Sequence, residues 1–330
     1  MKKKITLSDI ARKANVTTIT VSRALSNPEK VKRETREKIH KLAQEMGYIP
    51  NMMAKGLKSS SKTIGVIVPT ITNPFFSGAI RSIVNTANKK GFTCLFFTSD
   101  ESEDIERNAV NTLISYNVDG VIIGVISEDE GYAPDYFHKL QSFGIPTVLF
   151  DRHIDVPHHC GIYLDNVDSG YKLGKEIMSE NETNILVVSG SPHSRVASSR
   201  LSGLNMAFTE SKKTLQLSII NADFNTALSK SLVSDFLSET KPDIIVGLNN
   251  QITLGALEAS VLSGYKLGVD IKFYSIDKIE TSQYFGVSIP CIKHDIEELG
   301  YQSVTQLIRA IESDSSELLS DIIIRGSISR

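Results

Sequence analysis

Apolar residues recur along the chain with two different spacings. In the first fifty residues they fall three and four apart: Leu7, Ile10, Ala11 and Ala14 share one face, Val21, Ala24 and Leu25 a second, and Thr35, Ile39, Leu42, Ala43 and Met46 a third. That period predicts three short amphipathic helices. Their ends are punctuated. Thr6 is placed to cap the first, with Asp9 three residues on giving a weaker form of the capping box; Asn15-Val16 makes a tight junction. Thr17 caps the second helix, Asn27-Pro28 stops it, and Gly47 ends the third.

From residue 63 short continuous apolar runs alternate with stretches of helical length. Strands are predicted at 63–68 (ended by Pro69), 93–98, 119–124 and 147–150, separated by helices at 75–90, 104–117 and 134–143. A second set follows residue 160, with helices at 169–179, 198–210, 226–237 and 252–262 and strands at 184–189, 217–220, 243–247 and 271–276. A helix at 296–311 and a strand at 322–325 close the chain. Apolar strands separated by amphipathic helices predict parallel sheets covered on both faces, and two such sets predict two lobes.

Composition agrees with more than one core: 330 residues, of which 41% are hydrophobic. The distribution of charge adds more than its sum of -2. Residues 1–60 carry 14 Lys/Arg against 5 Asp/Glu, and the rest of the chain 22 against 33. A basic head on an acidic body suits a device that grips a polyanion with one end. No signal-peptide core follows Met1-Lys2-Lys3-Lys4, and no apolar run reaches membrane-spanning length. Cys94, Cys160 and Cys291 are odd in number and widely spaced, so a cytoplasmic protein with reduced thiols and no membrane association is expected.

Catalytic signatures are missing. No dinucleotide glycine fingerprint or phosphate loop follows the strand at 64–68, and no serine nucleophile elbow occurs. His158-His159-Cys160 invites a metal reading, but adjacent side chains diverge on extended backbone. No enzyme activity, cofactor or metal is expected.

Two short helices joined by a tight turn make a helix-turn-helix, and the second has the composition of a reading helix. Thr6, Thr17, Thr18, Ile19, Ser22 and Arg23 are the DNA-facing candidates, with no acidic residue between positions 17 and 28. Arg23 suits two-pronged hydrogen bonding to a guanine edge; Thr18 and Ile19 suit base edges or a thymine methyl. The plainer alternative is a solvated face of a small helical bundle.

The words Thr6-Leu-Ser-Asp-Ile-Ala11, Ala14-Asn-Val-Thr17, Thr20-Val-Ser-Arg23, Thr35-Arg36 and Gly47-Tyr-Ile-Pro-Asn51, in that order and spacing, resemble the LacI/GalR family of bacterial transcription regulators. The resemblance continues through nearly the whole chain. It implies an all-α helix-turn-helix head over 1–50, a hinge helix and linker over 51–62, and an α/β two-lobed periplasmic-binding-protein-like body over 63–330. Two parallel-sheet, Rossmann-like lobes are then expected: the first about 63–155 and 292–320, the second about 160–285 and the C-terminal end. Crossings are expected near 151–165, 277–292 and 318–324. In the hinge, Asn51, Ala54, Lys55 and Leu57 match DNA-binding positions, Leu57 matching a wedge into the minor groove and Ala54 a hinge-to-hinge contact. Eight residues with Gly56 among them do not hold a helix alone, so order there is expected only against DNA and a dimer mate.

In parallel α/β sheets, ligands sit beyond the carboxyl ends of the strands. Asn73-Pro-Phe-Phe76, Asp100, Asp151-Arg152, the stretch 189–200, Asn249-Asn250 and Asp277 fall there. The resemblance implies effector contacts at Asn73, Phe75, Asp151, Arg195, Arg200, Asn249 and Asp277. Plainer readings pair Asp151 with Arg152, make Asp100 a helix cap and leave Arg195 solvated. Two departures from the family pattern stand out: Asn250, where aspartate is usual, and Ser275-Ile-Asp-Lys278 in place of a glycine-aromatic-Asp-Asp run. The expected protein is a homodimeric repressor of double-stranded operator DNA, controlled by a small sugar, sugar acid or sugar phosphate. Its rivals are a solute-binding protein with no regulatory role and an effector-independent DNA-binding structural protein.

Overall fold

The computed structural model describes residues 5–26, 28–48, 61–128, 132–156, 160–280, 282, 286–313 and 320–330. Two compact units divide at Ser61 and Lys62.

The first unit holds α1 (Leu7–Ala14), α2 (Thr18–Ser26), a 3-10 turn (Pro28–Lys30) and α3 (Arg33–Glu45). Thr6 and Asp9 form a full capping box: the threonine oxygen accepts from Asp9 N, and the Asp9 carboxylate accepts from Thr6 N at 3.0 Å. Asn15 ends α1 in the left-handed region (φ 58°), a conformation asparagine tolerates, and so turns the chain into α2. Thr17 Oγ1 accepts from Thr20 N at the start of α2. Ile10, Val21, Ala24 and Ile39 have no exposed surface and bring the three helices together. From α3, Lys38 Nζ donates to Ala14 O and His40 Nε2 to Ala24 O, so one helix satisfies carbonyls in the last turns of the other two.

The second unit contains two six-stranded sheets. The first runs β11-β5-β4-β3-β1-β2, all parallel, with β1 Thr63–Val68, β2 Thr93–Thr98, β3 Gly120–Ile123, β4 Thr147–Phe150, β5 Cys160–Leu164 and β11 Ile322–Ile324. The second runs β12-β10-β9-β8-β6-β7, with β6 Asn184–Ser189, β7 Gln216–Asn221, β8 Ile244–Gly247, β9 Lys272–Ile276, β10 Cys291–Lys293 and β12 Ser327–Ser329. Only β12, against β10, is antiparallel among these. The helices are α4 (Pro74–Lys89), α5 (Glu103–Ser115), α6 (Tyr136–Ser142), α7 (Asn166–Ile177), α8 (Arg195–Ser211), α9 (Thr226–Glu239), α10 (Asn250–Leu262) and α11 (Ile296–Glu312).

The lobe boundaries differ from those expected. Residues 160–164 form a strand of the first sheet and not the start of the second lobe, β10 belongs to the second sheet, and β11 belongs to the first. The chain therefore crosses between lobes at Asp165, at the end of the expected 151–165 window, and at His294-Asp295 and Arg325-Gly326, slightly beyond the expected 277–292 and 318–324. β10, β11 and β12 have three residues each, too short to carry a period, while β5 is fully buried but broken in pattern by Gly161, where an added Cβ would strike the Tyr163 ring.

The lobes repeat one another in backbone detail. Asp151 (φ 68°) follows β4 and Asp277 (φ 66°) follows β9, both left-handed. Each donates its N–H to the neighbouring strand, to Ile162 O and Ile292 O respectively. In the second lobe α7 lies against α8 at Gly170 and Gly203, where added Cβ atoms would come within 1.9 Å of Arg200 O and 2.0 Å of Val167 O. The glycine of the Arg200-Leu-Ser-Gly203 word is thus a packing requirement, and the close approach sets Arg200 beside the start of α7.

Candidate functional site

On the first unit, Thr17, Thr18, Ile19, Ser22 and Arg23 are all exposed. Thr18, Ile19, Ser22 and Arg23 lie at i, i+1, i+4 and i+5 on one side of α2. Ile19, on the same side, is 61% exposed. Thr6 is exposed but occupied with its cap. Asn51, Ala54, Lys55 and Leu57 lie outside the described residues, as do His158 and His159.

In the second unit the carboxyl ends of both sheets face a cleft of about 650 Å³. Asn73, Phe75, Asp151, Arg200, Asn249 and Asp277 all line it, so six of the seven candidates converge. Arg195 does not. It is exposed, with Nη1 3.5 Å from His153 Nδ1, while its neighbours Ser194 and Val196 take the lining positions. The cause is helical phase: from the first turn of α8, Val196 and Arg200 point inward one turn apart. Asp100 is exposed and is not among the lining residues.

Local structure explains each placement. Asn73 caps α4 by accepting from Phe75 N (3.0 Å), and Asn249 caps α10 by accepting from Ile252 N (2.9 Å), so both amides are fixed at helix starts. Asn250 Nδ2 donates across the cleft to Asn73 Oδ1 at 3.1 Å, joining the two lobes. Phe75 packs edge-on to Phe76, centroids 5.1 Å apart. Arg152 pairs with Glu101 through two 2.8 Å contacts and not with Asp151.

Arg200 sits at the centre of a buried polar chain. Its Nε donates to Asn166 Oδ1 (2.8 Å), its Nη1 donates to Leu248 O (2.7 Å), and Nη1 lies 3.7 Å from Asp277 Oδ2. Asp277 Oδ1 in turn meets His294 Nδ1, and His294 Nε2 meets Ser169 Oγ, both at 2.9 Å. Asn166 and His294 stand at two of the interlobe crossings. Burial alone would raise the Asp277 pKa, but Arg200 and His294 outweigh it and hold the carboxyl below its ordinary value. Asp151 moves the other way: burial raises it, Arg152 and Arg200 only partly offset that, and Asp277 adds to it.

Two residues, one lining the cleft and one buried beneath it, escaped sequence reasoning. Glu128 accepts from His153 N (2.8 Å) on its own lobe and from Val196 N (3.2 Å) on the other, and burial raises its pKa. In the sequence it begins an acidic Glu-Asp-Glu run that reads as a solvated loop. His294 belongs to no motif, and only the fold brings it under Asp277. Among the described residues no cluster of three or more His, Cys, Asp or Glu is arranged to hold a metal, and no helix is long and apolar enough to cross a membrane.

Comparison with known proteins agrees with this geometry. Residues 64–312 match the family model described as periplasmic binding protein domain, and residues 6–51 match that of bacterial regulatory proteins, lacI family. The chain is 27% identical over 338 residues to the HTH-type transcriptional repressor CytR of Escherichia coli, covering 98% of this chain and 96% of that protein. It is 26% identical over 315 residues to the repressor PurR of Aliivibrio salmonicida, covering 94% of each. Its fold matches the lac repressor dimer bound to operator and the anti-inducer ONPF with a TM-score of 0.84 at 24% identity, covering 99% of this chain and 98% of that one. A helix-turn-helix head and a two-lobed body with a polar cleft, both matched by family models, mean that the chain belongs to the LacI family of transcriptional regulators.

Proposed function

We propose that the protein represses transcription by binding operator DNA as a homodimer, with an affinity set by a small sugar-like effector in the interlobe cleft. The observation that carries this reading is that the polar chain from the cleft, Arg200 to Asp277 to His294, runs into the segments where the lobes are joined. A ligand that touches Asp277 or Arg200 therefore bears on the joint itself. An effector bound more tightly by one lobe arrangement than by the other shifts the population between them, and that difference in binding energy is the signal. The described lac repressor complex, a dimer on operator with a small ligand, supports the same assignment of parts.

In this reading residues 1–50 read sequence through Thr18, Ile19, Ser22 and Arg23, residues 51–62 are hinge and linker, and Leu57 is the minor-groove wedge. Effectors that disfavour the hinge make an inducible repressor; those that favour it make a corepressor-dependent one. The test is titration of labelled operator with the full chain, with and without ligand. Arg23→Ala is expected to lose specific binding more than random-DNA binding, and Leu57→Ala to lose operator affinity with the fold intact. Equal loss on operator and random DNA would reassign Arg23 to a phosphate. A solute-binding protein would bind ligand without binding operator, and a DNA-structuring protein would bind operator and random DNA alike whatever the ligand.

A further inference from the structure

Glu128 stands on the first lobe, after β3, and its carboxylate bridges the two lobes. Oε1 accepts from His153 N (2.8 Å) on the same lobe and Oε2 from Val196 N (3.2 Å) on the second. Val196 is the second residue of α8, where a helix amide has no carbonyl one turn back to bond. The next two amides are served within the helix start: Ser194 Oγ accepts from Ala197 N and Ser194 O from Ser198 N. Val196 N is served from the other lobe, by a negative group set against the positive end of a 17-residue helix. On the same turn Arg195 brings Nη1 to 3.5 Å from His153 Nδ1, a second approach between the lobes. Every atom in these contacts belongs to the chain, so they form without the help of a solute.

The segment that carries Glu128 is fixed from behind. Ile126 N donates to Glu106 Oε2 (3.0 Å), while Arg152 Nη1 donates to Val125 O and Ile126 O. Glu106 has no exposed surface, and the hydroxyls of Tyr132 and Tyr136 both donate to its Oε1. A buried carboxylate held by three donors cannot turn without breaking several bonds at once. Glu128 is thus presented to α8 on a segment already ordered by its own lobe, which lowers the cost of the contact. Burial sets the sign of its removal. Val196 is 7% exposed, so with the lobes together and Glu128 absent its N–H would be buried unpaired, a cost relieved by parting the lobes and admitting water.

We infer that Glu128 is a positioning residue for the effector response: a clasp that holds the first turn of α8 against the first lobe and draws the lobes together before any solute binds, with Glu106 as its anchor. Arg200, one turn along α8 from Val196, is brought to the cleft wall by the same contact. The inference rests on reading lobe arrangement as the switch and adds what sets its resting position. A solute that needs the lobes together then meets a population already biased that way, and binds more tightly for it.

Hydrogen exchange of the full chain tests the clasp, because the bond to Glu128 is what shields the Val196 amide. In wild type that amide is expected to exchange about 100-fold more slowly than an open one, and Glu128→Ala to lose about tenfold or more of the protection, while Leu204 in the middle of α8 keeps its own. Glu128→Gln, with one acceptor oxygen and no charge, is expected to fall between them. Tyr136→Phe, at a residue that does not line the cleft, is expected to lose about threefold through Glu106. Solution scattering of Glu128→Ala is expected to show a larger radius of gyration. Its operator affinity with no solute added, which a merely structural role would leave alone, is expected to differ from wild type by about threefold or more. Equal Val196 exchange, or an equal radius, in wild type and Glu128→Ala would overturn the inference. Wild-type protection in Tyr136→Phe would remove Glu106 as the anchor. Lost protection and a larger radius with unchanged operator affinity would keep the clasp and overturn the reading that lobe arrangement governs operator binding.

Discussion

His294 Nδ1 lies 2.9 Å from Asp277 Oδ1, and the imidazole side chain has no exposed surface. A residue at an interlobe crossing thus holds the carboxylate that also faces the cleft. Gly326, at another crossing, has no room for a Cβ beside this ring: Ile292 Cγ2 would be 2.4 Å away and His294 Cδ2 3.0 Å. Ring, carboxylate and crossing are packed as one piece.

Replacing His294 with leucine removes the donor that meets Asp277 Oδ1. Hydrogen bonds to charged groups contribute about 1.5–3 kcal/mol. The urea midpoint of His294→Leu is expected to fall by a corresponding amount, and His294→Gln, whose amide can still donate, to recover part of it. An unchanged midpoint for the leucine variant would dissolve the pairing.

The depressed pKa of Asp277 fixes the sign of an acid effect. A carboxyl whose folded-state value is lowered contributes stability that is present above its unfolded value, about 3.9, and is lost as pH falls through the folded value. Urea unfolding at stepped pH below about 4 is expected to show this loss in the wild type and a shallower loss in His294→Leu. Parallel slopes would contradict it.

Asn250→Asp restores the residue usual in the family pattern at this position, and here it is expected to be harmful. The wild-type amide donates to Asn73 Oδ1, which is held in place by Phe75 N. A carboxylate would meet an oxygen instead. The expected result is a more open lobe arrangement, read as a larger radius of gyration in solution scattering, and weaker retention of any effector.

All three thiols are pushed by burial to about 11. Thiolate is the reactive form, so very little of it is present at neutral pH. A thiol reagent at pH 7.5 is expected to label the native protein slowly and all three cysteines promptly in denaturant. Rapid single-site labelling of the folded chain would point to Cys94, the least buried of the three.

The two-unit organisation and most elements were legible because their signals are local: a 3.6-residue period with caps at Thr6 and Thr17, and runs such as 63–68 that are apolar throughout. Lobe membership was less legible. β5, β10, β11 and β12 are assigned to a sheet by distant partners, as when Ile323 pairs beside Tyr163, and no nearby residue announces it. The cleft list was readable to the extent that carboxyl ends of strands are readable. It failed at Arg195, where one helical step decides inward from outward, and it omitted Glu128 and His294, whose roles arise from contacts with residues 68 and 17 positions away.

The left-handed backbone at Asp151 and Asp277 restricts the alphabet available at the cleft floor. Branched or bulky side chains are disfavoured at such φ, while Asp, Asn and Gly remain admissible. A lineage retuning this protein to a new effector can therefore switch a floor charge off or delete the side chain, but cannot enlarge it. Discrimination by size falls to the walls, at positions such as Phe75, and the floor is left to vote only on charge.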